Sequence, residues 1–233
     1  MKCIVLAAGM STRLKSITGD IPKPLVRVKG KPIIERCLEN LKRNGFEDII
    51  VTVHYKHEMV EELLGNGRKY GLNISYAYEN ELLNTGGSLK NLESILNEDF
   101  FVCGGSFLLL NTDFQKAISQ HKADKNYMTV ILSKCADEDL LKFYGQAVVE
   151  NGQIIRFQEK PPVAFSDLIH TTYQVISPAF FEYIDPNEKV AIPDVIPLLI
   201  RDNKSVGGYI TEDQLINISS PELYFRSLNN PLL

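Results

Sequence analysis

The 233-residue sequence contains no apolar stretch that approaches the ~20 residues of a membrane-spanning helix. Its first apolar run, residues 3–8, is too short for the hydrophobic region of a secretory signal peptide. Long runs of lysine or arginine are also absent, and the formal net charge is −4. Because nucleic-acid-binding proteins usually show a basic patch, we expect neither a nucleic acid nor a membrane as partner.

Cysteine is scarce, and no two cysteines form a C-x-x-C pair. Cys3, Cys37, Cys103 and Cys135 each lie in or beside an apolar stretch, which favours reduced, partly buried thiols and a cytoplasmic protein. The sequence also lacks a linker rich in proline, glycine or serine, an internal repeat and a low-complexity segment. With 44% hydrophobic and 23% charged residues, the chain is expected to fold as one compact domain.

In the first half of the chain, apolar runs alternate with helical patterns. Strands are predicted at residues 3–7, 48–53, 74–78, 100–103 and 127–132, and helices at 32–45, 59–64, 88–96 and 114–121. The helix that opens at Pro32 and stops near Gly45 has proline in its first turn and glycine past its end, as helices often do. The alternation predicts an α/β fold of Rossmann-like type, with three α/β/α layers and a mostly parallel mixed sheet.

The second half of the chain has a different pattern. Asn151-Gly152 separates two apolar runs, residues 147–150 and 153–157, and is a strong signal for a two-residue β-hairpin. Further strands are predicted at 172–176, 206–210 and 214–218, and helices at 178–184, at 192–200 and from Pro221. The apolar residues 107–110 are interpreted as a buried extension of a strand, with an intermolecular interface as the alternative.

The loop after the first strand has the residues of a phosphate site. In an open α/β sheet, ligands bind beyond the carboxyl ends of the strands. Gly9 lets the backbone approach a phosphate closely, Arg13 supplies a forked donor, and Lys23 supplies a point charge. Prolines on both sides of Lys23 restrict its backbone. A glycine-rich turn with two solvated cations is the alternative, but the P-K-P-L spacing favours the phosphate site.

The chain resembles the sugar-1-phosphate nucleotidyltransferases, whose sequences read L-A-x-G-x-G-T-R-L followed by P-K-P-L. Its overall pattern is most similar to the mannose-1-phosphate and heptose-1-phosphate guanylyltransferases, and the resemblance covers nearly the whole chain. It implies one domain of residues 1–233, with a nucleotide-binding half at 1–110 and a sugar-binding half at 111–233. The implied ligands are a nucleoside triphosphate, a sugar 1-phosphate and a nucleotide sugar.

The resemblance implies a nucleotide site built from two blocks. By this resemblance, Arg13 and Lys23 are the catalytic residues. The nucleotide-binding residues that the resemblance implies are Leu6, Ala8, Gly9, Arg13, Asn84, Gly86 and Gly87. The second block, residues 84–89, matches a G-T-G-G-A-L loop in which Asn84 replaces the first glycine. Asparagine tolerates a positive φ, so the turn is expected to survive. A helix N-terminus capped by Ser88 is a second interpretation, and both can hold.

The implied sugar-phosphate site consists of Gly145, Glu159, Lys160 and Thr172. Tyr144-Gly145 and Glu159-Lys160-Pro161 match the family's Y-G and E-K-P blocks. In the family, the glutamate holds sugar hydroxyls and the lysine holds the sugar phosphate, which agrees with the donors and acceptors of these side chains. The alternative for Glu159 and Lys160 is an ordinary surface ion pair.

Several positions depart from the family pattern. Ser106 stands where a strand normally ends in G-D, and Asn217 stands at the first position of a D-I-G-T-P-E block. Those two aspartates bind Mg²⁺ in the family, and serine and asparagine offer only neutral oxygens. Asp113 and Asp213 are the nearby carboxylates that could replace them. The N-A-G-I-Y block, which contacts the sugar, reads His170-Thr171-Thr172-Tyr173-Gln174.

Two functions are therefore in competition. The chain is either a nucleotidyltransferase with an altered metal site, which would need Mg²⁺, or a non-catalytic protein that binds a nucleotide or sugar nucleotide as a regulator or subunit. We expect weak or absent activity because the metal-binding carboxylates are replaced. A scaffold without a ligand is disfavoured, since it would not need these cations beside glycine-rich loops. No sequence motif identifies the nucleotide base, the sugar or the oligomeric state.

Overall fold

The computed structural model describes residues 1–10 and 12–233, so Ser11 of the first loop lies outside the described residues. The β-strands are β1 (Cys3–Leu6), β2 (Arg27–Val28), β3 (Lys31–Pro32), β4 (Asp48–Val53), β5 (Asn73–Tyr78), β6 (Phe100–Gly104), β7 (Phe107–Leu108), β8 (Met128–Lys134), β9 (Gln146–Glu150), β10 (Gln153–Gln158), β11 (Leu168–Ile176), β12 (Val206–Thr211) and β13 (Ile216–Asn217). The α-helices are α1 (Lys15–Thr18), α2 (Ile33–Arg43), α3 (His57–Leu64), α4 (Asn84–Lys90), α5 (Phe114–Asp124), α6 (Glu138–Leu141), α7 (Ile192–Arg201) and α8 (Pro221–Leu228). Short 3₁₀ helices cover Thr12–Leu14, Lys23–Leu25, Arg68–Tyr70, Glu93–Ile95 and Pro178–Tyr183.

The contacts divide the chain into two compact units. Unit 1 comprises Met1–Leu82, Cys103–Leu110 and Leu215–Leu233, and unit 2 comprises Leu83–Val102 and Asn111–Gln214. Strand β6 contributes its first three residues to unit 2 and its last two to unit 1. None of the helices in residues 1–10 and 12–233 is both long and apolar enough to cross a membrane.

Unit 1 contains a parallel sheet in which β4 lies between β1 and β5. Helix α2 presents a buried apolar stripe at helical spacing, formed by Ile33, Ile34, Cys37, Leu38 and Leu41. The helix ends at Arg43, and Gly45 follows with φ of 81°, a conformation that glycine adopts without strain. The predicted helix between Pro32 and Gly45 is therefore confirmed.

Unit 2 contains a mixed sheet with the strand order β6-β11-β8-β12-β10-β9. Strands β8 and β12 are parallel, and the other neighbouring pairs are antiparallel. An aromatic cluster fills part of the core, where the rings of Phe114 and Tyr173 lie 5.1 Å apart and those of Phe101 and Phe114 lie 5.0 Å apart. This packing fixes β6, α5 and β11 against one another.

The predicted hairpin is confirmed. Strands β9 and β10 pair in antiparallel register with Glu150 opposite Gln153. Asn151 has φ of 50° and Gly152 has φ of 77°. A type I′ turn requires a positive φ at both of its central residues, which explains why this dipeptide is so informative.

The predicted helix at 88–96 is wrong at both ends. Helix α4 begins at Asn84 and ends at Lys90, and a separate 3₁₀ turn follows. Ser88 is buried within the helix and does not cap it. The backbone N–H groups of Gly86 and Gly87 donate to the Val190 carbonyl at 2.9 and 3.1 Å. This tertiary contact overrides the low helix propensity of two consecutive glycines.

Other boundaries also differ from the predictions. Strand β11 begins at Leu168 instead of residue 172, β13 covers only Ile216–Asn217, and residues 178–183 form a 3₁₀ helix. Residues 107–110 include the completely buried Leu108 and Leu109, as interpreted, but β7 is a separate short strand that pairs with β13 and not an extension of β6.

Candidate functional site

The predicted site residues fall in both units, and each group is described within its own unit. In unit 1, the first loop begins where β1 ends at Leu6. The backbone N–H of Ala7 donates to the Thr52 carbonyl at 3.2 Å and to its hydroxyl at 3.3 Å, and Gly105 N–H donates to the Leu6 carbonyl at 2.9 Å. Ala8 is nearly buried, whereas Gly9 is exposed. A Cβ built on Gly9 would meet no described heavy atom within 4 Å, so the backbone here is open to a ligand.

Arg13 and Lys23 lie on separate 3₁₀ helices of unit 1. Arg13 is exposed, and the buried Leu14 beside it anchors its helix. The Nζ atom of Lys23 lies 5.4 Å from the centroid of the Phe107 ring, a cation–π contact that limits the directions available to the ammonium. Phe107 was not predicted as a site residue. Its only sequence signal is that it directly follows Ser106.

Asp20 lies between Arg13 and Lys23 in the sequence and connects this segment to the loop that precedes α3. Its carboxylate lies 3.1 Å from Lys15 Nζ and 3.9 Å from Lys56 Nζ, and Lys56 also donates to the Asp20 carbonyl at 3.0 Å. The hydrogen bond and charge of Lys15 lower the pKa of the Asp20 carboxyl. All three side chains are substantially exposed, so the ion pairs position the loop more than they stabilise the fold.

Unit 1 also brings Ser106 and Asn217 to neighbouring strands. Asn217 of β13 pairs with Phe107 of β7, and Ser106 directly precedes Phe107. Both side chains are nearly buried, with 7% and 5% of their surface exposed. The Asn217 Oδ1 atom accepts a hydrogen bond from the Ser219 N–H at 2.7 Å. Part of the acceptor capacity of Asn217 is therefore used within its own turn.

Asp113 and Asp213, both in unit 2, have structural partners. The Asp113 carboxylate caps the N-terminus of α5 by accepting from the Gln115 N–H at 3.0 Å. The Asp213 Oδ2 atom accepts from the Asn111 N–H at 2.6 Å and from both the N–H and the hydroxyl of Thr112 at 3.2 Å. Each carboxylate thus stabilises its local backbone.

In unit 2, the block at residues 84–87 forms the start of α4. Asn84 has φ of 59°, so it adopts the conformation expected from its replacement of a glycine. An added Cβ would lie 2.9 Å from the Val190 carbonyl oxygen at Gly86 and 2.3 Å from the Glu188 carbonyl oxygen at Gly87. Both glycines are therefore required for the close packing of α4 on residues 188–190. The N–H groups of both glycines donate to the Val190 carbonyl. They are therefore not available to a phosphate, as the N–H groups of an anion-binding nest would be.

Of the predicted sugar-phosphate residues, Gly145, Glu159 and Lys160 lie together in unit 2. A Cβ on Gly145 would lie 2.6 Å from Glu159 Oε2 and 2.7 Å from Phe157 Cζ, so the absence of a side chain makes room for the Glu159 carboxylate. Lys160 pairs with Glu159 at 3.1 Å, and about half of the Lys160 side chain is exposed. The Glu159–Lys160 pair therefore also has the geometry of an ordinary surface ion pair. The close approach of the Glu159 carboxylate to Gly145 is the feature that an ordinary surface pair would not have.

Two buried polar residues line the same cluster and were not predicted as a pair. His170 Nε2 lies 3.1 Å from Gln174 Oε1, and the His170 backbone N–H donates to the Gly145 carbonyl at 2.8 Å. The His170 ring also packs edge-on against Phe157, with centroids 5.7 Å apart. Burial lowers the pKa of His170, and the charge of Glu159 opposes that shift without reversing it. Neutral imidazole is therefore the favoured form.

The buried histidines predict how stability depends on pH. Burial also lowers the pKa of His121, whose Nδ1 lies 3.0 Å from the Thr129 hydroxyl and whose Nε2 lies 3.6 Å from Asp99. Since the folded-state pKa lies below the unfolded value, each histidine contributes stability above pH ~6.5 that is lost as the pH falls. Urea unfolding between pH 7.5 and 5 should show this loss, with a slope of at most about 1.4 kcal/mol per pH unit for each histidine.

A variant tests the assignment of this acid sensitivity. His121→Gln removes one of the two titrating histidines and should make the dependence of the unfolding free energy on pH below about 6.5 shallower, while the contribution of His170 remains. Wild-type protein that gains stability on acidification over this range would contradict the prediction.

Residues 2–215 match the family model described as nucleotidyl transferase. The chain belongs to the sugar-1-phosphate nucleotidyltransferase family. Aligned over all of its length, the chain is 33% identical to a UTP–glucose-1-phosphate uridylyltransferase of Synechocystis, of which it covers 63%. It is 28% identical to the D-glycero-α-D-manno-heptose 1-phosphate guanylyltransferase of Aneurinibacillus thermoaerophilus, over 96% of this chain and 95% of that enzyme. Mannose-1-phosphate guanyltransferases are also among its relatives, and the chain spans less than two thirds of several of them.

A solved structure of similar shape confirms the fold class. The crystal structure of HddC from Yersinia pseudotuberculosis, complexed with GMP-PN, matches with a TM-score of 0.81 over 98% of each chain at 24% identity. The fold is therefore a Rossmann-like α/β arrangement with a mixed sheet, as predicted, but the expectation of a mostly parallel sheet was wrong for unit 2, where antiparallel pairs outnumber the parallel pair of β8 and β12. The guanylyltransferase resemblance is likewise confirmed by the names of the relatives.

Nucleotidyltransferases of this family generally depend on a divalent metal, and the side chains at the expected positions do not fit one. Ser106 and Asn217 are neutral, and Asn217 already accepts from its own turn. One oxygen of each of Asp113 and Asp213 already accepts hydrogen bonds from nearby backbone. In residues 1–10 and 12–233, no group of three or more histidine, cysteine, aspartate or glutamate side chains is arranged to hold a metal ion. Mg²⁺ prefers carboxylate oxygens, so this donor set suits it poorly.

Proposed function

We propose that this chain binds a nucleotide or a nucleotide sugar through the family's phosphate and sugar residues, and that it catalyses nucleotidyl transfer weakly or not at all. In the family, a nucleoside triphosphate and a sugar 1-phosphate give a nucleotide sugar and pyrophosphate. The observation that carries the proposal is the contrast within unit 1. A Cβ on Gly9 would meet no described heavy atom and Lys23 lies over the Phe107 ring, while the buried, neutral Ser106 and Asn217 stand where the family resemblance expects metal-binding carboxylates.

Retained binding is supported in both units. Arg13 and Lys23 provide the positive charge that a phosphate group requires, and Gly9 leaves its backbone accessible. In unit 2, the Glu159 carboxylate is held against Gly145, where it can accept hydrogen bonds from sugar hydroxyls. Lys160 beside it provides a cation for a sugar phosphate. We propose the assignment of these residues to a nucleotide part and a sugar-phosphate part on this basis.

Weak catalysis follows from the chemistry of the reaction. A sugar phosphate must attack another polyanion, so the rate depends on positioning and on neutralising charge. A metal ion contributes several kcal/mol to such a transition state, and about 4 kcal/mol corresponds to a factor of about 10³ in rate. The alternative is a working enzyme with an altered metal site, and family membership favours it.

A pyrophosphate-release assay decides between these two functions. Nucleoside triphosphates and sugar 1-phosphates are combined in a panel, with Mg²⁺ or with a chelator. We expect turnover below about 0.01 s⁻¹, against about 10 s⁻¹ for a typical enzyme. Turnover near the typical rate would establish the working enzyme and end the non-catalytic proposal.

Ligand binding is tested separately by thermal shift with nucleotides and nucleotide sugars. We expect stabilisation that persists when the chelator replaces Mg²⁺, because the cations that bind the ligand belong to the protein. Lys23→Gln should reduce that stabilisation. If no ligand of the panel raises the Tm, the binding function fails and a scaffold role remains. A cytoplasmic location is part of the same proposal, since none of the four cysteines forms a disulfide.

Restoring the carboxylates tests the assignment of the two positions. The double variant Ser106→Asp with Asn217→Asp should bind Mn²⁺ at least about tenfold more tightly than the wild type, since two anionic oxygens replace two neutral ones. Electron paramagnetic resonance of added Mn²⁺ measures the bound fraction without requiring activity. Each single variant serves as the matched control. Unchanged Mn²⁺ binding in the double variant would show that these residues do not stand at the metal positions.

A further inference from the structure

The chain contains three asparagine residues that are each followed by glycine. They are Asn44-Gly45, Asn66-Gly67 and Asn151-Gly152. An asparagine in this setting can lose its side-chain amide spontaneously, because glycine has no Cβ to hinder its backbone nitrogen from attacking the neighbouring side-chain carbonyl. Hydrogen bonds to that nitrogen or to the asparagine side chain oppose the attack. The three dipeptides are equivalent in sequence, and the structure distinguishes them.

Asn44-Gly45 is held just past the end of α2. The Gly45 N–H donates to the Lys42 carbonyl at 3.0 Å. The Asn44 side-chain amide donates to the Asn40 carbonyl at 3.1 Å and to the Asn40 side-chain oxygen at 3.2 Å. Both the attacking nitrogen and the side chain that it must reach are therefore engaged. These bonds have to open before the reaction can begin, which lowers its rate.

Asn66-Gly67 is held between α3 and β5. The Gly67 N–H donates to the Leu64 carbonyl at 3.2 Å, and Asn66 Oδ1 accepts from the Arg68 N–H at 3.2 Å. Gly67 is also buried, and a Cβ built on it would lie 2.7 Å from Ile74 Cγ1. The backbone here cannot rotate toward the geometry of the attack without disrupting that close packing.

Asn151-Gly152 lacks these restraints. Within residues 1–10 and 12–233, neither the Asn151 side chain nor the Gly152 N–H has a hydrogen-bond partner. Asn151 is exposed at the tip of the hairpin formed by β9 and β10, so water and hydroxide reach it. In a two-residue hairpin turn, the ladder of hydrogen bonds begins at the residues that flank the turn, and the N–H groups inside the turn stay outside it.

We propose that Asn151 is the site at which this chain deamidates, with isoaspartate as the main product. The Gly152 nitrogen, deprotonated by hydroxide, bonds to the Asn151 Cγ atom. The side-chain amide then leaves as ammonia after taking a proton from water, which regenerates the hydroxide. A second water opens the cyclic succinimide at either carbonyl and gives aspartate or isoaspartate. Overall, water is consumed and ammonia is released, without an oxidant. The modification needs no ligand, so it is independent of the proposed function.

Isoaspartate at position 151 would change the hairpin and the elements bonded to it. Its backbone is one carbon longer than that of aspartate, so the two positive φ angles of a type I′ turn cannot be kept. The Gly152 carbonyl accepts from the Gly208 N–H of β12 at 2.9 Å and from Gln120 Nε2 of α5 at 3.5 Å. Displacement of this carbonyl weakens both contacts. We therefore expect aged protein to have a Tm about 2–4 °C below that of fresh protein.

Peptide mass spectrometry of wild-type protein aged at alkaline pH tests the site. The conversion of each Asn-Gly peptide from amide to acid is followed with time, and a protein-isoaspartate methyltransferase with labelled S-adenosylmethionine measures the isoaspartate. In folded protein, we expect the Asn151 peptide to convert at least about tenfold faster than the peptides of Asn44 and Asn66, whose hydrogen bonds must open first. In concentrated urea, the three rates should agree within about threefold, because unfolding removes those bonds.

Asn151→Gln and Asn66→Gln are the matched variants, and aged protein is compared with fresh protein of the same variant. Each replaces an exposed asparagine with a longer amide that cyclises far more slowly. Asn151→Gln should abolish most of the isoaspartate and the fall in Tm on ageing, whereas Asn66→Gln should change neither. Similar rates for the three peptides in folded protein would overturn the assignment of the site. Isoaspartate at position 151 with an unchanged Tm would overturn the effect on β12 and α5.

Discussion

Asp213→Ala is expected to lower the free energy of unfolding by about 3 kcal/mol. The Asp213 carboxylate is 9% exposed and accepts from two backbone N–H groups and one hydroxyl, all contributed by Asn111 and Thr112. Its removal takes the acceptor from the Thr112 N–H, which is buried, and from the Asn111 N–H, which lies on an exposed residue. A buried unsatisfied group costs about 1–3 kcal/mol. The Thr112 hydroxyl also contacts the Thr211 hydroxyl at 2.9 Å, so the loss extends into a connected network. Urea denaturation followed by circular dichroism measures the change.

Two neighbouring acidic residues provide controls for Asp213. Asp113→Ala removes one N-cap hydrogen bond and should cost about 1 kcal/mol. Glu212→Ala should change the unfolding free energy by less than about 0.5 kcal/mol, because its side chain is 87% exposed. If Asp213→Ala cost no more than Asp113→Ala, the carboxylate would not be committed to this network. It would then be available as a metal ligand, which would favour the working enzyme.

Gly87→Ala is expected to destabilise the protein by about 2–3 kcal/mol. Helix propensity alone would favour alanine by about 1 kcal/mol at a position inside α4. However, the new Cβ would lie 2.3 Å from the Glu188 carbonyl oxygen and 2.6 Å from Leu83 Cβ. Because a backbone oxygen cannot move away as easily as a flexible side chain, overpacking should outweigh propensity. The midpoint of urea unfolding should therefore fall.

Gly9→Ala is the matched substitution in an open loop. Its Cβ would meet no described heavy atom within 4 Å, so we expect a stability change of less than about 0.5 kcal/mol. A nucleotide should nevertheless bind about tenfold more weakly, because the methyl group would occupy the path by which a phosphate approaches the backbone. If Gly87→Ala were as stable as Gly9→Ala, residues 188–190 would be able to shift away from the new Cβ with little loss of folding free energy.

Local signals predicted the elements whose determinants lie close together in sequence. The bounds of β4 agree with the prediction, and the Asn151-Gly152 hairpin follows from the dihedral angles of its own two residues. Helix α4 was predicted poorly because its first turn depends on Val190, which lies far along the chain. No local pattern contains that contact, so the glycines appeared to be a loop.

The candidate site shows the same division between local and distant causes. Lys23 could be identified from its flanking prolines, whereas its contact with the Phe107 ring depends on how β7 is placed in unit 1. A bulge in β11 was not predicted either, since it arises from pairing with β8 and from the burial of Tyr173. Residue types thus supply the chemistry proposed for the site, while the positive φ of Thr172 became apparent only in three dimensions.

Under the proposed function, the neutral side chains of Ser106 and Asn217 would also determine which ligand charge the site favours. A metal ion would offset much of the charge of a triphosphate, whereas here the offset must come from cationic side chains such as Lys23. A nucleotide sugar carries fewer negative charges than the triphosphate from which it is made, so it needs less compensation. We therefore expect the site to retain the family's product longer than its substrate. Such a molecule would report how much nucleotide sugar is present rather than contribute to making it.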